Sequence, residues 1–356
     1  MRTLLSSIRT IGSKHLKVLF SLTLCASASL SWSDKTVSLK LAHNLNQKHM
    51  VHKALIYMDQ QLDTLSQGTL RIRIYPGGQM GDAVDTLQML QHGIIDMTKG
   101  SASDLELFDN TFAIFNLPYL FESPEHFNRV VYGPVGRAIM TSPTDKGLFA
   151  IAAYETRFRS FYARKPIHSP KDLKGMKVRV QPSPTTIEMI KLMGGMPTPI
   201  PFGETYTALQ QGVVDMAENN EPSYIDTRHH EVARFFSEDQ HSSIPDYLMI
   251  STHTWKNKLT EEQRKMIREA AERSENYQKT LWNETLNAAR ETAKKSGVTF
   301  IKVDKQPFRE AIQPLYQQFT RHPRQATLLA KIQSEAQGIP IPGPTLTNQP
   351  TFSTQP

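Results

Sequence analysis

"TLQMLQHGIIDM" (residues 86–97) and "TYTALQQGVVDM" (residues 205–216) are one pattern written twice. Each reads as a short helix ending at a glycine, Gly93 or Gly212, where the left-handed cap conformation suits glycine. Each then gives two β-branched residues, an aspartate and a methionine, which read as a strand. Upstream lies a second echo. "LRIRIYP" (70–76) matches "MKVRVQP" (176–182) in its alternation, its arginine and its closing proline. Strand, proline turn, helix, glycine and strand therefore occur twice. The internal spacing differs between the copies, which excludes a solenoid. The pattern predicts two α/β lobes on one plan. Parallel strands joined by helices place ligands outside the carboxyl ends of the strands, so two facing lobes make a cleft. Arg179 falls at such an end, and Arg73 holds the echoed place.

The rest of the chain agrees. At 356 residues it is too long for one small core. Arg2, Arg9, Lys14 and Lys17 precede a short apolar run from Val18 to about Leu30, the pattern of a secretory signal peptide and too short for a membrane span. Cleavage fits after Ala28 or Ser33, and Ser33 is preferred. A lipid anchor at Cys25 is disfavoured by the bulky Leu24 before it. Cys25 is the only cysteine, so a chain cleaved at Ser33 has no disulfide and no thiol chemistry. Cleavage also lowers the formal charge of +7 to +3, which gives no case for nucleic acid.

"TVSLKLAHN" (36–44) alternates as a first strand, "FAIFNLPYLF" (112–121) reads as core, and "YETRFRSFYARKPI" (154–167) as a strand-rich crossover. Residues 260–297 read as one helix, with Thr260 and Gln263 as a capping box and Gly297 as the stop. At ~1.5 Å per residue it spans roughly 50 Å and should brace both lobes. The expected layout is a signal segment at 1–33, lobe I at 34–156 plus 245–284, lobe II at 157–244 plus 285–337, and a disordered tail at 338–356. The lobes should hinge near 155–158 and 243–246.

Across 37–334 the chain resembles the solute-binding proteins of the tripartite ATP-independent periplasmic (TRAP) transporters. "PIHSPKDLKGMKVRVQPSP" and "GGMPTPIPFGETYTALQQGVVDMAENN" carry the likeness, supported by "IYPGGQMGD", "LPYLF" and the long helix. The resemblance implies a two-lobed α/β periplasmic-binding-protein-like fold that closes by a hinge on an organic acid. It implies a monomer, delivery to TRAP membrane permease subunits, no cofactor and no turnover. The family's carboxylate-binding arginine falls on Arg179, whose planar fork suits a carboxylate. Asn219, Arg159 and Phe202 match further contact positions, as do Asn44 and Asp82 in the first lobe. His49 is a candidate cleft residue at the first loop. Around Lys99 and Ser101 the stretch "MTKGSAS" departs from the sialic-acid-binding branch and resembles branches that take smaller sugar acids. A hexuronate is the first choice of ligand, with C4-dicarboxylates and other acids open. Glu218 is expected to be structural, and Asp215, echoed by Asp96, architectural. A sensor or a secreted hydrolase remains an alternative. His49 with His52, and His229, His230 and Glu231, offer weak metal spacings without a third ligand. No GxSxG, P-loop or GxGxxG stretch occurs.

Overall fold

The computed structural model describes residues 36–336. The signal segment and the tail lie outside them. In chain order the strands are β1 (Val37–Ala42), β2 (Leu70–Tyr75), β3 (Met97–Ser101), β4 (Leu148–Tyr154), β5 (Arg159–Ala163), β6 (Lys177–Val180), β7 (Met196–Pro199), β8 (Met216–Asn219), β9 (Phe235–Ser242), β10 (Asp246–Ser251) and β11 (Thr299–Ile301). They form a five-stranded sheet, β2-β1-β3-β10-β4, and a six-stranded sheet, β11-β9-β5-β8-β6-β7. β1 pairs in parallel with β2 and β3, as β6 does with β7 and β8. Each sheet thus holds one strand–helix–strand–helix–strand unit.

The two units share a device. Asp96 accepts the N–H of Lys40 at 2.7 Å and Asp215 that of Lys177 at 2.8 Å. The return bonds, Asp96 N–H to Lys40 O and Asp215 N–H to Lys177 O, are 3.1 and 2.9 Å. Both aspartates therefore fasten the first strand of their unit, the architectural part expected of Asp215.

This pairing corrects the phase of the upstream echo. Lys177 is equivalent to Lys40, so β6 corresponds to β1 and not to β2. The place equivalent to Arg179 is Ala42, and Arg73 lies exposed on β2 beside Tyr75. Alternation and a closing proline are common to several strands and cannot tell the first of a unit from the second. The β-branched pairs also differ from expectation. Ile94–Asp96 is a bend, Val213–Asp215 is likewise outside any strand, and the strands begin at Met97 and Met216. In each segment the aspartate side chain has taken the neighbouring strand's N–H, so the ladder starts one residue later.

Two crossings join the sheets, between β4 and β5 and between β9 and β10. They run side by side: Thr156 Oγ1–H donates to Ile244 O, and Asp246 pairs with Tyr154. The third link is the helix Glu261–Lys295, which has the predicted capping box of Thr260 and Gln263 and is followed by Gly297 at φ 80°. Gln278 clasps Glu155, accepting its N–H at 3.0 Å and donating to its carbonyl at 2.8 Å. Ser274 Oγ–H donates to Ala54 O in the helix Met50–Ser66. Farther along, Arg290 pairs with Glu221 and Glu238 beside the second sheet, each at 2.6 Å. The helix braces both halves, as expected. The closing helix Pro323–Ala336 reaches segment 124–131, where His126 Nε2 meets Ile332 O at 2.8 Å. One apolar core runs through both halves, joining Phe112 and Phe115 to Phe161 and Val178. No helix among the described residues is long and apolar enough to cross a membrane.

Candidate functional site

A cavity of about 320 Å³ opens between the carboxyl ends of the two units, within the ~300–1,000 Å³ typical of small-molecule sites. Of the predicted residues, Asn44, His49, Asp82, Lys99, Arg159, Arg179, Phe202 and Asn219 line it. Ser101 does not. It N-caps a short helix, donating its hydroxyl to Asp104 Oδ2 at 2.7 Å and accepting Gln181 Nε2–H at 2.7 Å. Its part is to hold Gln181, which lines the cavity.

Arg179 leaves the end of β6 buried, with 1% of its surface exposed. Nε donates to Ile200 O at 2.9 Å, and the guanidinium lies 5.7 Å from the Phe202 ring centre. Nη1 is buried without a partner, and no carboxylate of the described residues lies within ion-pair distance. Burial, despite the distant Glu218 charge, pulls the guanidinium below its ordinary value. An unpaired buried cation is costly and calls for an anion.

Arg159 is the opposite case. Its Nε and Nη2 fork the Glu218 carboxylate, at 2.5 and 3.0 Å, and Nη1 donates to Asn219 Oδ1 at 2.9 Å. Glu218 is therefore structural, as expected, but it acts through a site residue. Behind it stands His241, whose Nε2 is 3.6 Å from Glu218 and whose Nδ1 is 2.8 Å from Asp239. Burial disfavours both charges, yet Arg159 and its hydrogen bonds hold Glu218 at about 2, and Asp239 with Glu218 raises His241 to about 9. The buried row Asp239–His241–Glu218–Arg159 is internally neutral and fixes Arg159 and Asn219. It leaves Arg179 as the cavity-lining cation without a partner, since Lys99 pairs with Asp246 at 2.8 Å.

His49 caps the helix Met50–Ser66 by accepting Val51 N–H on Nδ1 at 3.2 Å. Burial, with Lys99 adding to it, lowers it to about 3, so the ring is neutral and its proton sits on Nε2. His52 turns away to His43 at 3.0 Å, and His229 Nδ1 pairs with the Tyr162 hydroxyl at 2.7 Å. Neither spacing converges on a metal, and no cluster of three or more His, Cys, Asp or Glu suited to one occurs among the described residues.

These titrations set a pH optimum for stability. His241, raised to about 9, contributes below its unfolded value of 6.5, and that contribution is lost as pH climbs to 9. His43, His49 and His229, each lowered to about 3 by burial, contribute above 6.5 and lose that as pH falls. Melting temperature should peak near pH 6.5. A profile still rising from pH 6.5 to 9 would show that His241 is not held between its carboxylates.

Sequence reasoning missed Gln181, Glu155, Asp246 and Trp282, all in the lining. Trp282 sits in the long helix with Nε1 buried and unpaired. Gln181 follows from the corrected repeat: as Lys177 matches Lys40, Gln181 matches Asn44. Both amide oxygens, Asn44 Oδ1 and Gln181 Oε1, are buried without partners.

The description "bacterial extracellular solute-binding protein, family 7" matches residues 41–322. The uncharacterized protein YiiZ of Salmonella typhimurium is 36% identical over 319 residues, covering 89% of this chain and 97% of that protein. A TRAP periplasmic solute-binding protein from Anaerococcus prevotii, solved with bound α/β-D-glucuronate, shares 35% identity at a TM-score of 0.83, covering 86% of this chain and 100% of its own. Another from Xanthobacter autotrophicus, with bound β-D-galacturonate, shares 35% identity at a TM-score of 0.81, covering 83% and 99%. A cleft between two like units, with the unpaired Arg179 at its wall, accords with these likenesses: the chain belongs to family 7 of the bacterial extracellular solute-binding proteins, alongside the TRAP periplasmic solute-binding proteins.

Proposed function

We propose that this protein is the exported solute-binding subunit of a TRAP transporter, that it captures a hexuronate such as D-glucuronate or D-galacturonate, and that it hands the sugar acid unchanged to a membrane permease. The observation that carries this is Arg179, a buried cation without a counter-ion facing a cavity rich in hydrogen-bonding groups. Similar proteins hold hexuronates in their structures. The ligand carboxylate sits on Arg179, Phe202 walls the sugar, and Asn219, Asn44, Asp82 and His49 take its hydroxyls. Lys99 and Arg159 keep the site's charges in place through Asp246 and Glu218. The contacts grip the acid and carry out no chemical step on it. The N-terminal segment directs export to the periplasm and is removed there.

A thermal-shift panel of organic acids tests the ligand class. A ligand at 100 times its dissociation constant adds roughly 2.7 kcal/mol to stability. Hexuronates should raise the melting temperature, and mass spectrometry should recover them intact. A rise with succinate or malate alone, or conversion of excess ligand by the protein, would refute the assignment.

The two halves move as lobes about residues 155–158 and 243–246. The described conformation carries bonds between halves: Asn46 Nδ2–H to Asp226 O at 3.2 Å, Gln181 to Ser101, and Thr185 Oγ1–H to Glu106 Oε1 at 2.7 Å. A ligand touching both halves shifts the population toward this closed form. Solution scattering should show a smaller radius of gyration with hexuronate. Equal radii with a bound hexuronate would argue for a rigid cleft.

A further inference from the structure

The charges around the cavity are unequal in a way that bears on which acids enter. Its wall carries Lys99, Arg159 and Arg179 against Asp82, Asp85, Asp104, Glu155 and Asp246. Four of these are answered by direct partners: Lys99 and Asp246 by each other, Arg159 by Glu218, and Glu155 by Arg157 at 2.6 Å. What remains is one cation, Arg179, and three carboxylates, Asp82, Asp85 and Asp104, with no cation at ion-pair distance among the described residues.

The neutral groups lean the same way. Ser101 gives its hydroxyl proton to Asp104, so it can only accept from Gln181. That fixes Gln181 with its amide N–H toward Ser101 and leaves Oε1 buried and unpartnered. Asn44 Oδ1, at the equivalent place in the other unit, is likewise an orphan acceptor. Away from Arg179 the wall is thus rich in acceptors and poor in positive charge.

Asp82 and Asp85 stand together at the start of the helix Ala83–Gln91, in the half opposite Arg179. They form a reciprocal capping box: Asp82 Oδ1 accepts Asp85 N–H at 2.9 Å and Asp85 Oδ2 accepts Asp82 N–H at 3.1 Å. Each spends one oxygen on the cap and has another to offer. A hydroxyl can donate to such an oxygen; a second ligand carboxylate cannot, and would stand beside like charge, with Asp82 half-buried and Asp85 exposed at the rim.

We propose that this cavity selects acids bearing a single carboxylate and rejects the dicarboxylates of the same carbon skeleton, with Asp82 and Asp85 as the residues that exclude the second anion. This rests on the reading of the site as a hexuronate pocket and adds that aldaric acids, in which the far carbon is also oxidised to a carboxylate, are turned away. Specificity built from repulsion is as effective as specificity built from attraction.

The test is calorimetry on the whole mature chain with D-glucuronate, D-glucarate and D-gluconate, the last an open-chain acid with one carboxylate. Glucarate should bind at least about 100-fold more weakly than glucuronate, and more weakly than gluconate. Asp82→Asn preserves the cap, because asparagine caps as well as aspartate, and Asp85→Asn keeps a side-chain oxygen for the N–H of residue 82. Combined, they should narrow the glucuronate-to-glucarate ratio by about tenfold or more. Glucuronate and glucarate bound alike by the unmodified protein would overturn the filter and leave the hexuronate assignment standing. A ratio unmoved by the double substitution would overturn the roles given to Asp82 and Asp85. Tight glucarate with no glucuronate binding would overturn both readings.

Discussion

Arg179→Lys is expected to weaken hexuronate binding by about 2–5 kcal/mol while leaving the fold intact, since truncating one partner of a buried charged pair strands the other. Lysine keeps the charge but loses the fork, and a carboxylate seated on two parallel N–H donors is left with a single point of contact. The fold should survive because Arg179 contributes little to it. Its guanidinium makes one hydrogen bond, to Ile200 O, lies over the face of Phe202, and answers no carboxylate among the described residues. In the absence of ligand the substitution should therefore leave the denaturation midpoint nearly unchanged. Calorimetry reads the first effect and urea unfolding the second. Undiminished affinity in Arg179→Lys would move the carboxylate elsewhere.

Glu218→Gln is expected to act the other way, on stability before binding. Glu218 is 1% exposed and is forked by Arg159, with His241 behind it. An amide there removes the charge that answers Arg159 and points N–H donors at others. Breaking a buried pair from one side costs about 3–5 kcal/mol. Replacing both partners together, Arg159→Met with Glu218→Met, should cost less than Glu218→Gln alone, because no charge is then left buried without a partner. Urea denaturation of the ligand-free protein measures both. A midpoint in Glu218→Gln equal to the unmodified protein would show that water reaches Arg159 and that the buried row is not a structural unit.

The two arginines explain why part of the site was legible and part was not. Arg179 stands where an alternating strand meets a proline turn, so its place at a carboxyl strand end could be read directly. Nothing local reveals that Arg159 is answered and Arg179 is not, because Glu218 lies 59 residues away on an antiparallel neighbour. β8 is buried on both faces, so alternation within "MAEN" does not separate a site face from a structural one. The long helix was readable to within a residue or two, since capping box, length and stop are all local. Trp282 on that helix was not: its contact with the cavity depends on how the helix lies across the crossings. The repeat showed that two like lobes exist but not their phase. Its decisive marks are the hydrogen bonds of Asp96 and Asp215 to Lys40 and Lys177, and these fix Asn44 and Gln181 as partners across the cleft.

A crystal structure of the mature chain with D-glucuronate decides whether Arg179 anchors the carboxylate of a hexuronate. One sugar acid per chain is expected, its two carboxylate oxygens on the Arg179 guanidinium and its far hydroxyls toward Asp82. A carboxylate seated instead on Arg159 or Lys99, with Arg179 left unpaired, would contradict it.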